Sequence, residues 1–453
     1  MSQIASGANP VQLRRGIEDA AHQVLDELAR MASPVGSKKE LAYVASIAAN
    51  NDPKIGAVIS DALGTVGREG VVTVEESPAL GLDLEFIEGF QWDYGYLSPY
   101  FVTGSERMEV VLEGPLLLLT NLTISEIQLL MPVREQVMRV QRPLVIVAEN
   151  VDGSALGTLV TNARHATFQS VAVRAPGFGH RRLETLQDIA ALTGAEVIAK
   201  DSGMKLESTT CERLGRARKV IVTEGETTIL GGAGDKGGVA ARIAQIKTEL
   251  DRAKNERDRE HLKERLARLA GRVAVIHVGA ATAVELKERR RRTEGALAAT
   301  RAALEEGILP GGGIALVNAE RVLDRSNGNA GEEALGAETV RAALSEPLRC
   351  IATNAGHDGD AVVERVRTLS PGWALDTLTG QYGEMIPARV PDPAKVTRSA
   401  LQNAVSIAAL LLTTEALVAE EPVAQPGAVI APGFGDLAEG LRRPSPPAGS
   451  PAP

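Results

Sequence analysis

The chain has 453 residues, 44% hydrophobic and 24% charged, with a formal net charge of −9. That length exceeds a single core and implies about two to four domains. The acidic balance excludes nucleic acid as the main partner, since phosphate binding needs a basic face; no apolar stretch is long enough to span a bilayer.

The six histidines form no spaced pair, so no metal site is expected. Cys211 and Cys350 lie far apart and, with no signal peptide, suit a reducing cytoplasm. Asn9-Pro10, a cap followed by a first-turn proline, opens a helix to about Met31. Its Leu13, Ile17, Ala20, Ala21, Val24 and Leu28 share one face. Ser37 with Glu40 makes a capping box for a second helix, and Asp52-Pro53 starts a third. VVTVEE, residues 71–76, reads as a strand.

Residues 84–102, LEFIEGFQWDYGYLSPYFV, hold Phe86, Phe90, Trp92, Tyr94, Tyr96, Tyr100 and Phe101 in a chain only 3% aromatic. Leu84 and Phe86 alternate with charges as in a half-buried strand. Gly95 and Pro99 make the following run irregular. Its aromatics form either a satellite core under a loop or an apolar docking surface for another chain.

From Val110 to about Gly271 strands and helices alternate. LLLLT at 116–120 and LVIVAE at 144–149 are continuous apolar runs, as buried strands are, and helical patterns follow at about 125–140 and 153–165. SVAVRAPG at 170–177 is a third strand and residues 183–194 a third helix, so a βαβ layer with its own core is expected. Residues 236–270 read as a charged helical hairpin lying on that domain. VAVIHVG at 273–279 returns as a strand, followed by a helix that Gly307 breaks. A mostly helical part then runs to about Glu421 and includes an apolar segment, 405–412, that reads as a buried core helix. The Pro-rich tail is expected to be disordered. Helical ends around an α/β middle imply nesting, with Pro34 and Gly307 near the two chain crossings as hinges.

Three candidate sites carry chemistry. Gly311-Gly312-Gly313 is either a structural turn or a place where backbone approaches a phosphate or base. Asp392 either caps the helix after it or bonds a ribose hydroxyl. The run Arg289 to Arg292, with Glu285, Glu288 and Glu294 nearby, is a solvated helical face or an anion site. Asp358 and Asp360 read as turn residues.

The strings GREGVVTVEES, GYLSPYF, RAPGFGHRRLETLQDIAALTG, VGAATAVELKER, ALAATRAALEEGILPGGGIAL and DPAKVTRSALQNAVSIAALLLTTEALV, in this order, closely resemble a group I chaperonin of the GroEL type. The resemblance implies a multi-domain α/β plus all-α fold. Its parts would be a helical equatorial domain (1–33 and 307–421), an intermediate domain (34–87 and 272–306), an inserted α/β apical domain (88–271) and a disordered tail (422–453). The family's phosphate loop, magnesium aspartate and GDGTTT motif would precede residue 1, so the equatorial domain is expected to be incomplete.

By the same resemblance Tyr96, Tyr100, Phe101, Met131, Leu156 and Val160 would form the polypeptide-binding groove, where Arg134 and Thr161 replace aliphatic residues. Gly312, Gly313, Asp392, Ile47, Ile351 and Asp376 would serve the nucleotide; Leu375 and Asp376 replace a base-contacting tyrosine and asparagine. Gly295 stands where the family has its catalytic aspartate, so no catalytic residue carries over. Tyr94, Ala283 and Arg272 depart from the family's interdomain pair and upper-hinge glycine. The implied function is a cytoplasmic ring chaperone that binds non-native polypeptides. The family works with ATP, Mg, a co-chaperonin and fellow subunits; here the ATP-driven cycle is expected to be impaired. The alternatives are a full ATP-driven folding machine, completed by upstream sequence or partner subunits, or a decayed copy.

Overall fold

The computed structural model describes residues 4, 7–68, 70–102, 108–199, 203–253, 255–325, 331–414, 416 and 418. The tail at 422–453 lies outside the described residues. Helix α1 (Pro10–Met31) starts where Asn9 Oδ1 accepts the Val11 N–H at 2.9 Å, and every residue of its apolar stripe is buried. In α2 (Lys38–Ala48) Ser37 Oγ accepts the Glu40 N–H at 3.2 Å. The Glu40 carboxylate reaches back to the Gly36 N–H, one residue earlier than a capping box requires. Asp52 caps α3 (Pro53–Val66).

Strands β1 (Val72–Glu76) and β2 (Gly81–Trp92) lead into the middle of the chain. There β3 (Val110–Glu113), β4 (Leu116–Thr120), β5 (Thr123–Ile124), α4 (Met131–Arg139), β6 (Leu144–Ala148), β7 (Asn150–Val151), α5 (Gly153–Arg164) and β8 (Ser170–Arg174) follow in order. Next come α6 (Gly179–Thr193), β9 (Val197–Ile198), β10 (Gly215–Val222), β11 (Thr227–Gly232), α7 (Lys236–Arg252), α8 (Glu256–Ala270) and β12 (Arg272–Gly279). One sheet runs β1-β12-β2-β11-β10-β4-β6-β8. Its β4, β6 and β8 are parallel, and β4 and β6 are buried at every position, because helices cover both faces. The predicted helix at 125–140 is shorter: a 3-10 turn at Ile127–Leu130 precedes α4. The third helix, α6, begins at Gly179, four residues ahead of the periodic stretch.

The charged hairpin α7–α8 lies on α6 as expected. A buried carboxylate holds it there. Arg265 grips Asp188 with two bonds, Nε to Oδ2 at 2.7 Å and Nη2 to Oδ1 at 2.9 Å, and Arg242 Nε adds a third at 2.7 Å. Asp188 is 0% and Arg265 3% exposed.

Helix α9 (Ala283–Glu306) returns the chain to the helical end. Its arginine run is an ion-paired surface: Arg289 meets Glu285, Arg290 meets Glu76 and Glu294, and Arg292 meets Glu288. Then follow β13 (Ile308–Pro310), α10 (Ile314–Ala319), α11 (Glu332–Leu344), α12 (Glu346–Asn354), α13 (Gly359–Arg367), the hairpin β14 (Trp373–Asp376) and β15 (Gln381–Glu384), β16 (Pro391–Pro393) and α14 (Ala394–Thr413). Asp358 caps α13 and Asp360 pairs with Arg349, so both are structural. The α1 stripe packs against α11 and α14, which joins the two ends of the chain in one core. Where the chain leaves and re-enters this core, Ser33 and Ile308 exchange N–H···O bonds of 3.0 and 2.8 Å. Gly307 beside them has φ +87°, and a Cβ there would lie 2.5 Å from the Ser33 carbonyl oxygen, so glycine is required.

Helix α14 corrects the expectation of a buried core helix. Leu401, Val405 and Leu412 face α1, but Ile407, Leu410 and Leu411 are 59%, 66% and 63% exposed. The segment is apolar all round, and periodicity does not say which side has a partner. Among the described residues no helix is long and apolar enough to cross a membrane.

Removing the buried carboxylate takes from Arg265 and Arg242 their most buried partner and leaves Arg265 with Glu184 and Glu249, and Arg242 with Gln187, Gln245 and the Glu184 carbonyl. Asp188→Ala is therefore expected to cost about 3–5 kcal/mol. Hydrogen exchange should show residues 236–270 opening before the β4-β6-β8 layer; unchanged protection of the hairpin would refute this.

Candidate functional site

The aromatic stretch divides by depth. Phe90 and Trp92, at the end of β2, are each 1% exposed, and Trp92 Nε1 donates to the Arg174 carbonyl at 3.0 Å. Past Gly95 the backbone hooks onto the sheet edge: Tyr96 bridges Val173, and the Leu97 N–H donates to the Ala172 carbonyl at 2.9 Å. A 3-10 turn, Pro99–Phe101, follows and packs against α5.

Within that turn Tyr100 is 63% exposed while Phe101 is 1% exposed. Phe101 thus belongs to the core and offers a partner no surface. Tyr96 is half-buried. On α5, Leu156 and Val160 are half-buried against the same core; Met131, at the start of α4, is half-buried too. The turn that carries Tyr100 packs on α5, so exposed Tyr100 and half-buried Leu156 and Val160 lie together at the surface over the buried strands β4 and β6.

The positions that depart from the aliphatic pattern are polar in different ways. Thr161 Oγ1 is exposed and turns back on its own helix, donating to the Gly157 carbonyl at 2.8 Å. Arg134 Nη1 donates to Met131 Sδ at 3.7 Å, and its guanidinium stands 6.0 Å over the Phe168 ring. Sequence reasoning missed Arg164, whose guanidinium lies 5.5 Å over the Tyr100 ring. Nothing local announces that contact, since it joins the last turn of α5 to a loop far away in sequence.

The second candidate site is the glycine turn before α10. Gly312 and Gly313 have φ of +77° and +81°, and a Cβ on Gly313 would sit 2.7 Å from the Leu348 nitrogen on α12. Asp392, on β16, does not cap α14, whose first turn has no side-chain cap. Its Oδ2 instead accepts the Gly312 N–H at 3.1 Å. The β13–β16 pairing brings turn and carboxylate together, because Leu309 sits opposite Asp392. Ile351, 40% exposed, is on α12, which packs on Gly313; Ile47 is on α2, which contacts β16. Asp376 accepts from the Leu378 N–H and the Thr379 hydroxyl at 2.9 Å each, closing its own turn beside buried Leu375. Asp392 and the glycine turn thus lie together, while Asp376 is engaged within its own turn. Among the described residues no group of three His, Cys, Asp or Glu side chains is placed to hold a metal ion. Gly295, on α9, is exposed, and a Cβ there would meet nothing within 4 Å.

Burial pushes the Asp392 carboxyl above its ordinary value, and the Gly312 and Gly313 N–H groups pull it partly back. A carboxyl raised in the folded state holds its proton more tightly there. Its contribution to stability is therefore complete below the unfolded value, about 3.9, and is lost as pH rises through the folded value. Asp392→Asn should flatten stability against pH from about 4 upward, read as the difference between wild-type and variant urea midpoints. A variant whose curve stays parallel to the wild type would contradict the assignment.

The model of the TCP-1/cpn60 chaperonin family matches residues 1–422 of the chain. The chain is 55% identical over 442 residues to a protein of Frankia casuarinae named Chaperonin GroEL 3, the match covering 98% of this chain and 80% of that one. It is 54% identical, with the same coverage, to a protein of Rhodococcus jostii named Probable chaperonin-like protein PrmG. The mixed α/β architecture, with helices around a curled sheet, agrees with a GroEL-like fold. On this match, the chain belongs to the TCP-1/cpn60 chaperonin family.

Proposed function

We propose that the chain is a molecular chaperone that grips non-native polypeptides through the apolar strip around Tyr100, and that its ATP-driven cycle is impaired. The observation that carries the grip is one: a large aromatic side chain, 63% exposed, lies on a turn packed against α5, the helix of half-buried Leu156 and Val160; Met131, half-buried on α4, would extend the strip. Burial of apolar surface is non-directional, so such a strip accepts exposed apolar segments of many sequences. In this reading residues 88–271 are the apical domain, 34–87 and 272–306 the intermediate domain, and 1–33 with 307–421 the equatorial domain. Pro34 and Gly307 flank the seam about which they turn.

The impairment rests on Gly295. The family aspartate matched to this position activates water, and a positioned base contributes about 10²–10⁴-fold. Glycine supplies no base, although the surrounding space would admit one. Gly312, Gly313, Asp392, Asp376, Ile47 and Ile351 would hold the nucleoside end of ATP, a binding step separate from hydrolysis. ATP, when bound with Mg, would supply the free energy that drives the cycle.

The exposed face of α14 favours a second reading, in which further chaperonin subunits cover it, a co-chaperonin docks on the assembly, and turnover is restored in the complex.

The purified chain should suppress aggregation of a denatured client. Tyr100→Ala should weaken client binding by about 1.5–3 kcal/mol, the value of one buried large side chain. A chain that leaves client aggregation unchanged would overturn the grip.

Steady-state phosphate release by the purified chain should be negligible. Release near the rates typical of the family would overturn the impairment, and light scattering on the same sample would show whether an assembly carries it.

A further inference from the structure

The strip is apolar, but the charges on it are of one sign and unanswered. Arg134 and Arg164 have no carboxylate within ion-pairing distance among the described residues, whereas Arg182 pairs with Glu149 and Arg213 with Glu196. Arg142 is held by the Gly114 carbonyl. Each of the two is instead braced over an aromatic ring, Phe168 for Arg134 and Tyr100 for Arg164. Such stacking fixes the cation in place and leaves its N–H edge to other acceptors. Arg134 Nε is buried with no hydrogen-bond partner, an unmet donor on a half-buried side chain. Both rings lie by the C-terminal end of α5, since the Phe168 N–H bonds to the Asn162 carbonyl and Tyr100 sits under Arg164. The acids on the flanking elements are Glu126 and Glu135, Glu207 and Glu212 on two short turns packed against α4, and Asp152 at the start of α5. The glutamates are exposed, Asp152 accepts from Asn150, and among the described residues no ion pair joins any of them to either guanidinium.

We infer that the strip selects among non-native chains, preferring apolar segments that carry Asp or Glu beside their large side chains. The inference rests on the chaperone reading and narrows its client class. An apolar residue of the guest would lie along Tyr100, Leu156 and Val160, while flanking carboxylates would take the free edges of Arg164 and Arg134. Carboxylate and guanidinium match as bidentate partners, and the surrounding apolar surface shields the pairs from water. The preference runs against the molecule as a whole. A protein of net charge −9 should repel an acidic peptide and attract a basic one, so a preference for acid can come only from a local site.

The test uses the full chain and three labelled peptides that share one Leu/Phe stripe and carry Glu, Gln or Lys at all other positions, read by fluorescence anisotropy. The Glu peptide should bind at least about 5-fold more tightly than the Lys peptide at low salt, as two partly shielded pairs would give. The ratio should shrink in 1 M salt, where the screening length falls to about 3 Å. The double variant Arg134→Leu, Arg164→Gln should bring Glu and Lys peptides within about 2-fold of each other while still binding the Gln peptide. Equal binding of the Glu and Lys peptides by the wild type overturns the inference and leaves the chaperone reading standing, as does a double variant that keeps the preference. Failure of all three peptides to bind overturns both. If the double variant does not fold, the wild-type salt series decides alone: a ratio that does not fall with salt overturns the inference.

Discussion

Two hydrogen bonds between Ser33 and Ile308 tie the whole topology together. They join the point where the chain leaves the α1–α11–α14 core to the point where it returns, and α9, packed on α14 and β16, holds the same junction. Only glycine fits beside it, because residue 307 is left-handed and its neighbour's carbonyl fills the space a side chain would take. Arg398 reinforces the joint from outside, binding Glu306 at 2.7 and 2.8 Å, and holds that carboxyl below its usual range. The next junction is built differently. Strand β2 pairs with β12 from Gly81 to Glu88 and then switches to β11 from Gly89 to Trp92, so the sheet passes through it unbroken.

The inserted middle is stiff for a related reason. Its parallel strands are covered on both faces, and its helical hairpin is locked by a desolvated carboxylate rather than by a greasy stripe alone. Under the proposed function, stiffness matters for a surface that would hold disordered chains. The guest supplies the conformational adaptation, so the host loses little entropy on contact and can present side chains that are already placed. Tyr100 can remain 63% exposed because Phe101 and Trp92, its neighbours in sequence, are buried and anchor the backbone on either side.

The sequence made much of this legible. Caps at Asn9, Ser37 and Asp52 placed helix starts correctly, because capping is a contact between residues two or three apart. Continuous apolar runs placed β4 and β6, and mixed charge around Leu262 and Leu269 placed the hairpin. What escaped depended on distant partners. Nothing local in the sequence marks Asp188; that it is wholly buried follows only from Arg242 and Arg265 arriving from two other helices. Asp392 looked like a helix cap because it precedes a helix, yet its partner is the Gly312 N–H across a strand pair. The aromatic stretch was visible as unusual, but not which of its rings would face water: alternation fails once the backbone leaves the strand at Gly95. Family resemblance named the groove positions without telling Phe101, which is sealed, from Tyr100, which is not.

In the proposed reading, grip and engine are carried by different elements, and this decides how loss of one affects the other. Gly295 lies in a 24-residue helix, α9, whose buried face is made by Thr293, Ala296, Leu297, Thr300, Ala302 and Ala303. A helix-interior glycine costs about 1 kcal/mol relative to alanine, small beside the packing of that face and the ion pairs along its arginine run. The helix therefore survives the glycine, and with it the support that α9 gives to α2 and to β12. None of the strip residues touches α9; they depend on β8, α4 and α5. A carboxylate at position 295 could be lost without disturbing the surface that holds a client. The reverse also holds, since open space around Gly295 means that a carboxylate restored there would meet no clash.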